Sequence, residues 1–256
     1  MNLSEKELKN IILSVSSIVL SAGSIIAKAF TSSVASTEKT SAHDVVTKFD
    51  VEGEEYIYKK LLSLYPDFGF LGEERGYRNY NDSDPYWIVD PIDGTLNFAR
   101  GIPTFATSVA LVQHKKTYAA ICYNPISKEL FTATLGGGAF LNGKKIEVSN
   151  VKTLSRSIIS VPIQQLSRSN ANVVVRRQGS SVLDICYIAK GSVDAYYDTC
   201  LYPWDFAASS LIASEAGAEI FSLKSKTLDT NKKSDILVAN KNIVDEFTKW
   251  ISTEAL

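Results

Sequence analysis

Apolar residues recur at three- and four-residue steps near the start of the chain. Leu8, Ile11, Ile12, Val15, Ile18, Val19, Ala22, Ile25, Ile26 and Ala29 share one side of a helical projection, and Ser14, Ser17, Ser21, Ser24 and Lys28 fall on the other. That spacing predicts an amphipathic helix, opened by Ser4 and Glu7 as a capping box. A signal sequence or membrane anchor has similar apolar content but no use for a polar stripe, so a core helix is expected. Residues 31–41 are Ser/Thr-rich and read as a loop or two short extended pieces. Residues 50–65 read as a second helix closed by Pro66. Strand-like runs follow at 69–71 and 86–89, with a polar turn region at 76–85 between them.

Residues 106–112, 117–123 and 129–134 are β-branched and aromatic runs of an antiparallel meander. Asn142-Gly143 marks a hairpin, because that pair accepts the positive φ angles of a type I′ turn. Gly136-Gly137-Gly138 lies inside the meander with no GxGxxG spacing and no helix after it, so it reads as a turn and not a nucleotide loop. Composition shifts at 149–155, which divides the chain into an α+β part, 1–150, and an α/β part, 151–256. In the second part, strands at 157–161, 173–177, 193–197, 219–223 and 236–240 are interleaved with helices at 181–190, 206–216 and from 243 onward. A polar loop spans 164–172. The whole reads as an α/β fold.

At 256 residues, 45% hydrophobic and 21% charged, the chain can build a substantial core. Its 27 Lys+Arg against 28 Asp+Glu give a net charge of −1. The basic excess of a nucleic-acid binder and the polybasic face of a membrane binder are therefore both missing. Cys122, Cys186 and Cys200 are scattered and form no CxxC, which argues against a disulfide framework and a thiolate zinc site. With only His43 and His114, any bound metal is expected to take oxygen ligands. A reducing, cytoplasmic setting fits this usage. Neither a Gly-x-Ser-x-Gly elbow nor a Cys-x5-Arg loop is present, so serine and cysteine nucleophiles are not expected.

The candidate chemistry concentrates in the run from Trp87 to Phe98. An apolar strand delivers Asp90, Pro91 ends ladder bonding, and Asp93-Gly94-Thr95 turns the chain. Two carboxylates thus emerge together, as a hard divalent cation requires. Gly94 and Thr95 would then open a short helix whose free N–H groups can face a phosphate.

The uninterrupted Asp90-Pro91-Ile92-Asp93-Gly94-Thr95 resembles the signature of the inositol monophosphatase family, the Mg2+-dependent, lithium-sensitive phosphatases. Gly72-Glu73-Glu74 is similar to the family's acidic pair, and Pro203-Trp204-Asp205 to its second signature. Asp44 to Asp50, with Lys39 ahead of it, matches its early Asp-x-Val-Thr-x-x-Asp element. The pieces keep the family's order from Lys39 to Gly217.

This resemblance implies a layered αβαβα sandwich, a homodimer and two to three Mg2+ ions. It assigns Glu73, Asp90 and the Ile92 carbonyl to one ion, Asp90, Asp93 and Asp205 to a second, and the neighbourhood of Glu73 to a weaker third. It makes Glu73 and Thr95 the residues that activate water, with Asp50 behind them, and Gly94 and Thr95 the receivers of phosphate. Lys39 would touch phosphate or a metal-bound water. Gly179, Ser180, Ser181, Asp198 and Asp205 would line the substrate pocket, with Asp198 standing where animal-type members have Glu. Five acids in one pocket, Asp50, Glu73, Asp90, Asp93 and Asp205, would repel one another and need divalent cations to stay ionised. Arg176 and Arg177 could grip a second phosphate, although adjacent strand residues cannot both point inward. The expected substrate is a small phosphorylated polyol or sugar, inositol 1-phosphate first. The alternatives are fructose 1,6-bisphosphate, alone or in an archaeal-type dual activity, histidinol phosphate, and a non-catalytic regulatory scaffold. Neither a nucleic-acid nor a membrane partner is expected.

Overall fold

The structure is a computed structural model that describes residues 3–30, 34–41, 44–78, 81, 83–162 and 173–254. The first half runs α1 (Glu5–Ala29), β1 (Ser36–Ser41), β2 (Asp44–Thr47), α2 (Lys48–Leu64), β3 (Gly69–Gly72), β4 (Gly76–Arg78), β5 (Tyr86–Asp93), α3 (Thr95–Ala99), β6 (Ala106–Gln113), β7 (Lys116–Asn124), β8 (Glu129–Thr134), β9 (Gly138–Leu141) and β10 (Lys144–Ile146). The second runs β11 (Ile158–Ser160), β12 (Val174–Val175), α4 (Ser181–Ala189), β13 (Ala195–Leu201), α5 (Pro203–Glu215), β14 (Ala218–Phe221), β15 (Ser234–Asn240) and α6 (Val244–Glu254).

Strands β3 to β10 form one eight-stranded sheet in the order β10-β9-β8-β7-β6-β5-β3-β4, antiparallel except where β3 meets β5. A five-stranded sheet has the order β12-β11-β13-β15-β14, with β11 parallel to both its neighbours. The alternation of strand side chains fixes the layers. Along β5, Trp87 and Val89 face a core with Leu8, Val15 and Val19 of α1 and Ile57 and Leu61 of α2. Tyr86 and Ile88 face the opposite way, into a core with Leu183 of α4 and Phe206 of α5. Along β13, Tyr196 joins that same central core, whereas Ala195 and Tyr197 pack on Phe247 and Ile251 of α6. The result is the layered αβαβα sandwich, with α4 and α5 between the sheets.

Helix α1 starts as its sequence predicts, Ser4 Oγ accepting the Glu7 N–H while Glu7 accepts the Ser4 N–H. It is long and apolar enough to cross a membrane by length and composition, yet Leu8, Ile11, Val15, Ile18, Val19, Ala22 and Ile26 of its apolar stripe are buried, most of them against the large sheet, and Ile25 departs from the expected face in being 45% exposed.

Several boundaries differ from the sequence reading. The polar region 76–85 contains β4, which pairs Gly76 to Gly72, Tyr77 to Leu71 and Arg78 to Phe70. A three-residue edge strand is held by backbone bonds and need bury little, so it leaves no alternating pattern to read. Residues 36–41 are extended and pair with Asp44–Thr47, a strand not anticipated. Helix α2 begins at Lys48 because Thr47 caps it, and α5 begins at Pro203, whose missing N–H is harmless in a first turn. Arg176 and Arg177 follow β12 instead of lying on it. The loop at 164–172 falls outside the described residues. Residues 149–155 connect the eight-stranded sheet to the five-stranded one, and α4 and α5, which follow them, share one core with β5 to β9.

Candidate metal and phosphate site

Every residue of β5 is buried, so its C-terminal end brings two carboxylates to the edge of the core. In a regular strand, residues three apart point to opposite faces. Here Asp90 pairs with Ser108 and Asp93 with Ala106, so three steps on β5 match two on β6. This one-residue bulge at Pro91-Ile92 turns Asp93 back to the side of Asp90. The Ile92 N–H donates to Asp90 Oδ1 at 2.9 Å, and Thr107 Oγ1 donates to the Pro91 carbonyl at 2.9 Å, fixing the bulge. Asp205 arrives on the first turn of α5, where its Oδ2 accepts the Tyr202 N–H at 2.7 Å. Carboxylate oxygens of Asp90, Asp93 and Asp205 all lie within 4.8 Å of one another.

Asp93 is also tied to the second half of the chain. Its Oδ2 accepts the Ser180 hydroxyl, and the Val182 N–H at 2.9 Å, so the start of α4 holds it. Burial pushes its pKa up to about 6 in spite of those donors. Burial raises Asp90 well above the carboxylate range, reinforced by the charges of Glu73, Asp93 and Asp205. Asp205 is raised in the same way, by burial and then by Asp93.

Glu73 follows β3, its N–H bonded to the Val89 carbonyl at 3.2 Å and its carboxyl hydrogen-bonded to that of Asp90. Burial raises it, opposed by Lys39. Lys39 Nζ stands 2.9 Å from Glu73 Oε1 and 2.6 Å from Glu74 Oε1, so it engages this acidic pair. Asp50 is fully buried at the start of α2. Its Oδ2 accepts the Thr47 N–H (2.8 Å) and hydroxyl (2.6 Å), and burial still pushes it up to about 6. Thr95 Oγ1 lies 2.9 Å from both Asp50 Oδ1 and the Ile92 carbonyl, and its single proton serves one of them at a time.

Gly94 has φ 95°, and a Cβ there would sit 3.1 Å from the Thr104 carbonyl and 3.2 Å from that of Gly179. Gly94→Ala is expected to cost about 1–3 kcal/mol, read as a lowered thermal midpoint. Gly179, with φ 80°, rests on the Asn97 amide, which donates to the Thr104 (2.7 Å) and Gln178 (2.8 Å) carbonyls. Ser180 caps α4 by accepting the Leu183 N–H, and Ser181 opens the helix. Asp198 is engaged by Arg177 at 2.5 Å and by its neighbour's N–H, that of Thr199, at 2.7 Å. Arg176 is exposed and donates to the Val175 carbonyl instead.

Four residues were missed by sequence reasoning. Thr47 was legible, since Thr-x-x-Asp is a capping signature. Asn97 lies inside the Trp87–Phe98 run, where nothing in the sequence marks its amide as a clamp on two backbone carbonyls. Glu54 and Asp184 resemble solvated helix acids in the sequence but are buried, Asp184 accepting the Gln178 N–H at 3.2 Å with burial pushing it up to about 7. For Glu54 one signal existed, because four residues after Asp50 it shares that residue's helix face.

The donor set fits Mg2+. It is all oxygen, as a hard cation prefers, and among the described residues the nearby cations Lys39 and Arg177 pair with Glu73, Glu74 and Asp198, so that no ion pair offsets the mutual repulsion of Asp90, Asp93 and Asp205.

The model of the inositol monophosphatase family matches residues 8–253. The chain is 36% identical to inositol monophosphatase of Dictyostelium discoideum, over 91% of this chain and 92% of that protein. It is 40% identical to the Nus factor SuhB of Vibrio cholerae, over 77% of this chain and 79% of that one. A solved IMPase/NADP phosphatase complexed with Mg2+ and phosphate superposes with a TM-score of 0.87 at 26% identity, covering 95% of each chain. Likeness that runs through nearly the whole sequence, and through the whole layered fold, makes this chain a member of the inositol monophosphatase family and a phosphatase.

Proposed function

We propose that the chain is a Mg2+-dependent phosphomonoesterase acting on inositol 1-phosphate. The observation that carries this reading is the β5 bulge, which gathers Asp90 and Asp93 on one side within 4.8 Å of Asp205. Glu73, Asp90, Asp93, Asp205 and the Ile92 carbonyl would hold two to three Mg2+ ions. When bound, the metal supplies an activated water and neutralises charge at phosphorus. Asp50 fixes the Thr95 hydroxyl, Thr95 with Glu73 orients the attacking water, and the proton of that water would go to the Glu73 carboxylate or, relayed by the Thr95 hydroxyl, to Asp50. The backbone N–H groups of Gly94 and Thr95 face the non-bridging phosphate oxygens. Residues 1–150 contribute the metal loops, and residues 151–256 contribute Asp205 and the pocket wall. Gly179, Ser181 and Asp198 shape that wall, while Ser180 commits its hydroxyl to Asp93. Cytoplasmic location, a homodimer and lithium sensitivity belong to the same reading.

Arg177 supports a second substrate, because its guanidinium reaches Asp198 and is itself 44% exposed. A bisphosphorylated sugar such as fructose 1,6-bisphosphate would find a fork for its second phosphate there. The 40% identity to a Nus factor supports a regulatory role as a reading from another class. Phosphate release should be measured in Mg2+ from inositol 1-phosphate, fructose 1,6-bisphosphate, adenosine 3′,5′-bisphosphate and histidinol phosphate in parallel. Fastest release from inositol 1-phosphate is the expected result, and release from none of the four would favour the regulatory role.

A further inference from the structure

One turn beyond Asp50 on α2, Glu54 is fully buried although it belongs to none of the motifs that supply metal ligands. Its Oε2 accepts the Glu74 N–H at 2.7 Å, and its Oε1 has no hydrogen-bond partner. The 72–74 backbone lies directly on this carboxyl group. A Cβ built at Gly72 would fall 2.8 Å from Oε1 and closer still to the other two carboxyl atoms. Burying a carboxyl with an unsatisfied oxygen is costly. An apolar side chain would fill the same space more cheaply, so packing alone does not account for a glutamate here.

The turn above it aims Glu73. Its N–H is bonded to Val89, the residue before Asp90, and Lys39 bridges the Glu73 and Glu74 side chains. Glu54 adds a tie from the backbone just past Glu73 to α2, the helix whose first turn carries Asp50. We propose that Glu54 is a positioning residue: through the Glu74 N–H and its contact with Gly72 it sets the height of the 72–74 turn, and with it how tightly the Glu73–Asp90 side of the site holds Mg2+. This role rests on the metal site proposed above. Groups that orient a metal ligand without touching the ion typically change metal affinity by 10–100-fold.

The test is Mg2+ titration without substrate, by calorimetry and by thermal midpoint, in the wild type and in Glu54→Ala, Glu54→Gln, Gly72→Ala and the Glu54→Ala/Gly72→Ala double variant. Glu54→Ala is expected to weaken Mg2+ binding about 10–100-fold, while substrate KM at saturating Mg2+ shifts less than about twofold. Glu54→Gln keeps an amide oxygen for the Glu74 N–H and should stay within about threefold of the wild type. Gly72→Ala should reproduce the Glu54→Ala loss, because its methyl displaces the carboxyl. The double variant should show no further loss, since the shortened side chain at position 54 leaves room for that methyl. A lower thermal midpoint with unchanged Mg2+ affinity in Glu54→Ala, or additive losses in the double variant, would overturn the proposal. Should Glu54→Ala fail to fold, Gly72→Ala against Glu54→Gln carries the same comparison. A wild type that binds no Mg2+ would overturn the metal site and this role together, and its own titration distinguishes that case.

Discussion

Asp93→Asn is expected to reduce turnover about 10³-fold, the rate equivalent of the several kcal/mol that a correctly held catalytic metal contributes. The same substitution should leave the fold intact and raise the thermal midpoint of the metal-free protein. The two effects share one cause. Asn has the shape of Asp, and its carbonyl oxygen can still accept the Val182 N–H that now meets Asp93 at 2.9 Å. What it removes is a charge from three carboxylates crowded within 4.8 Å, in a place where burial already pushes Asp93 up to about 6. Above that pH the wild type carries an ionised group that its surroundings disfavour, and the variant does not. Steady-state phosphate release and thermal unfolding in EDTA check both halves. Near-normal turnover in Mg2+ would remove Asp93 from the metal-binding set, and an unfolded variant would show that its tie to α4 is structural.

The legible parts of this molecule are those where local sequence and final environment agree. Helix α1 was readable because its periodicity reports directly which face packs on the sheet. The Asp90 to Thr95 loop was readable because proline, glycine and paired acids each restrict the chain locally. The bulge was not, since its register is decided by which residues of β6 lie opposite. Strand β4 escaped for the same reason, as it owes its existence to pairing with β3. Glu54, Asp184 and Asn97 show a further limit. Their burial comes from segments that the fold brings together, 72–74 over Glu54, and Gln178-Gly179 over both Asp184 and Asn97. For Glu54 the only local mark is that it shares a helix face with Asp50, and that spacing alone does not tell a buried acid from a solvated one. The reading of Arg176 and Arg177 on a strand shows the reverse case, where the pair lies just beyond β12 and only Arg177 reaches Asp198.

Without divalent cations, the protein is expected to lose stability as pH rises from about 4 to about 7, the reverse of ordinary acid denaturation. Burial pushes Asp50 and Asp93 up to about 6 and Asp184 up to about 7, and it raises Asp90, Asp205 and Glu73 as well. In the unfolded chain these groups titrate near 4. Between the two values the folded state binds more protons than the unfolded one, so their contribution is fully present below about pH 4 and is lost as pH rises through 6 and 7. Acids with the opposite shift, such as Glu129 beside Lys190, act only at the acidic end of that range. Mg2+ competes with protons for the same oxygens, so it should stabilise the protein little at pH 5 and strongly at pH 8. At about 100 times its Kd, a ligand adds about 2.7 kcal/mol, which for a chain of this size raises the thermal midpoint by about 5–10 °C. EDTA should abolish the shift at pH 8 and barely matter at pH 5. Midpoints measured over this pH range with and without Mg2+ decide it. Equal Mg2+ shifts at pH 5 and pH 8 would mean that the ion binds somewhere other than the buried carboxylates, because only groups that must lose protons to receive it can make its effect depend on pH in this direction.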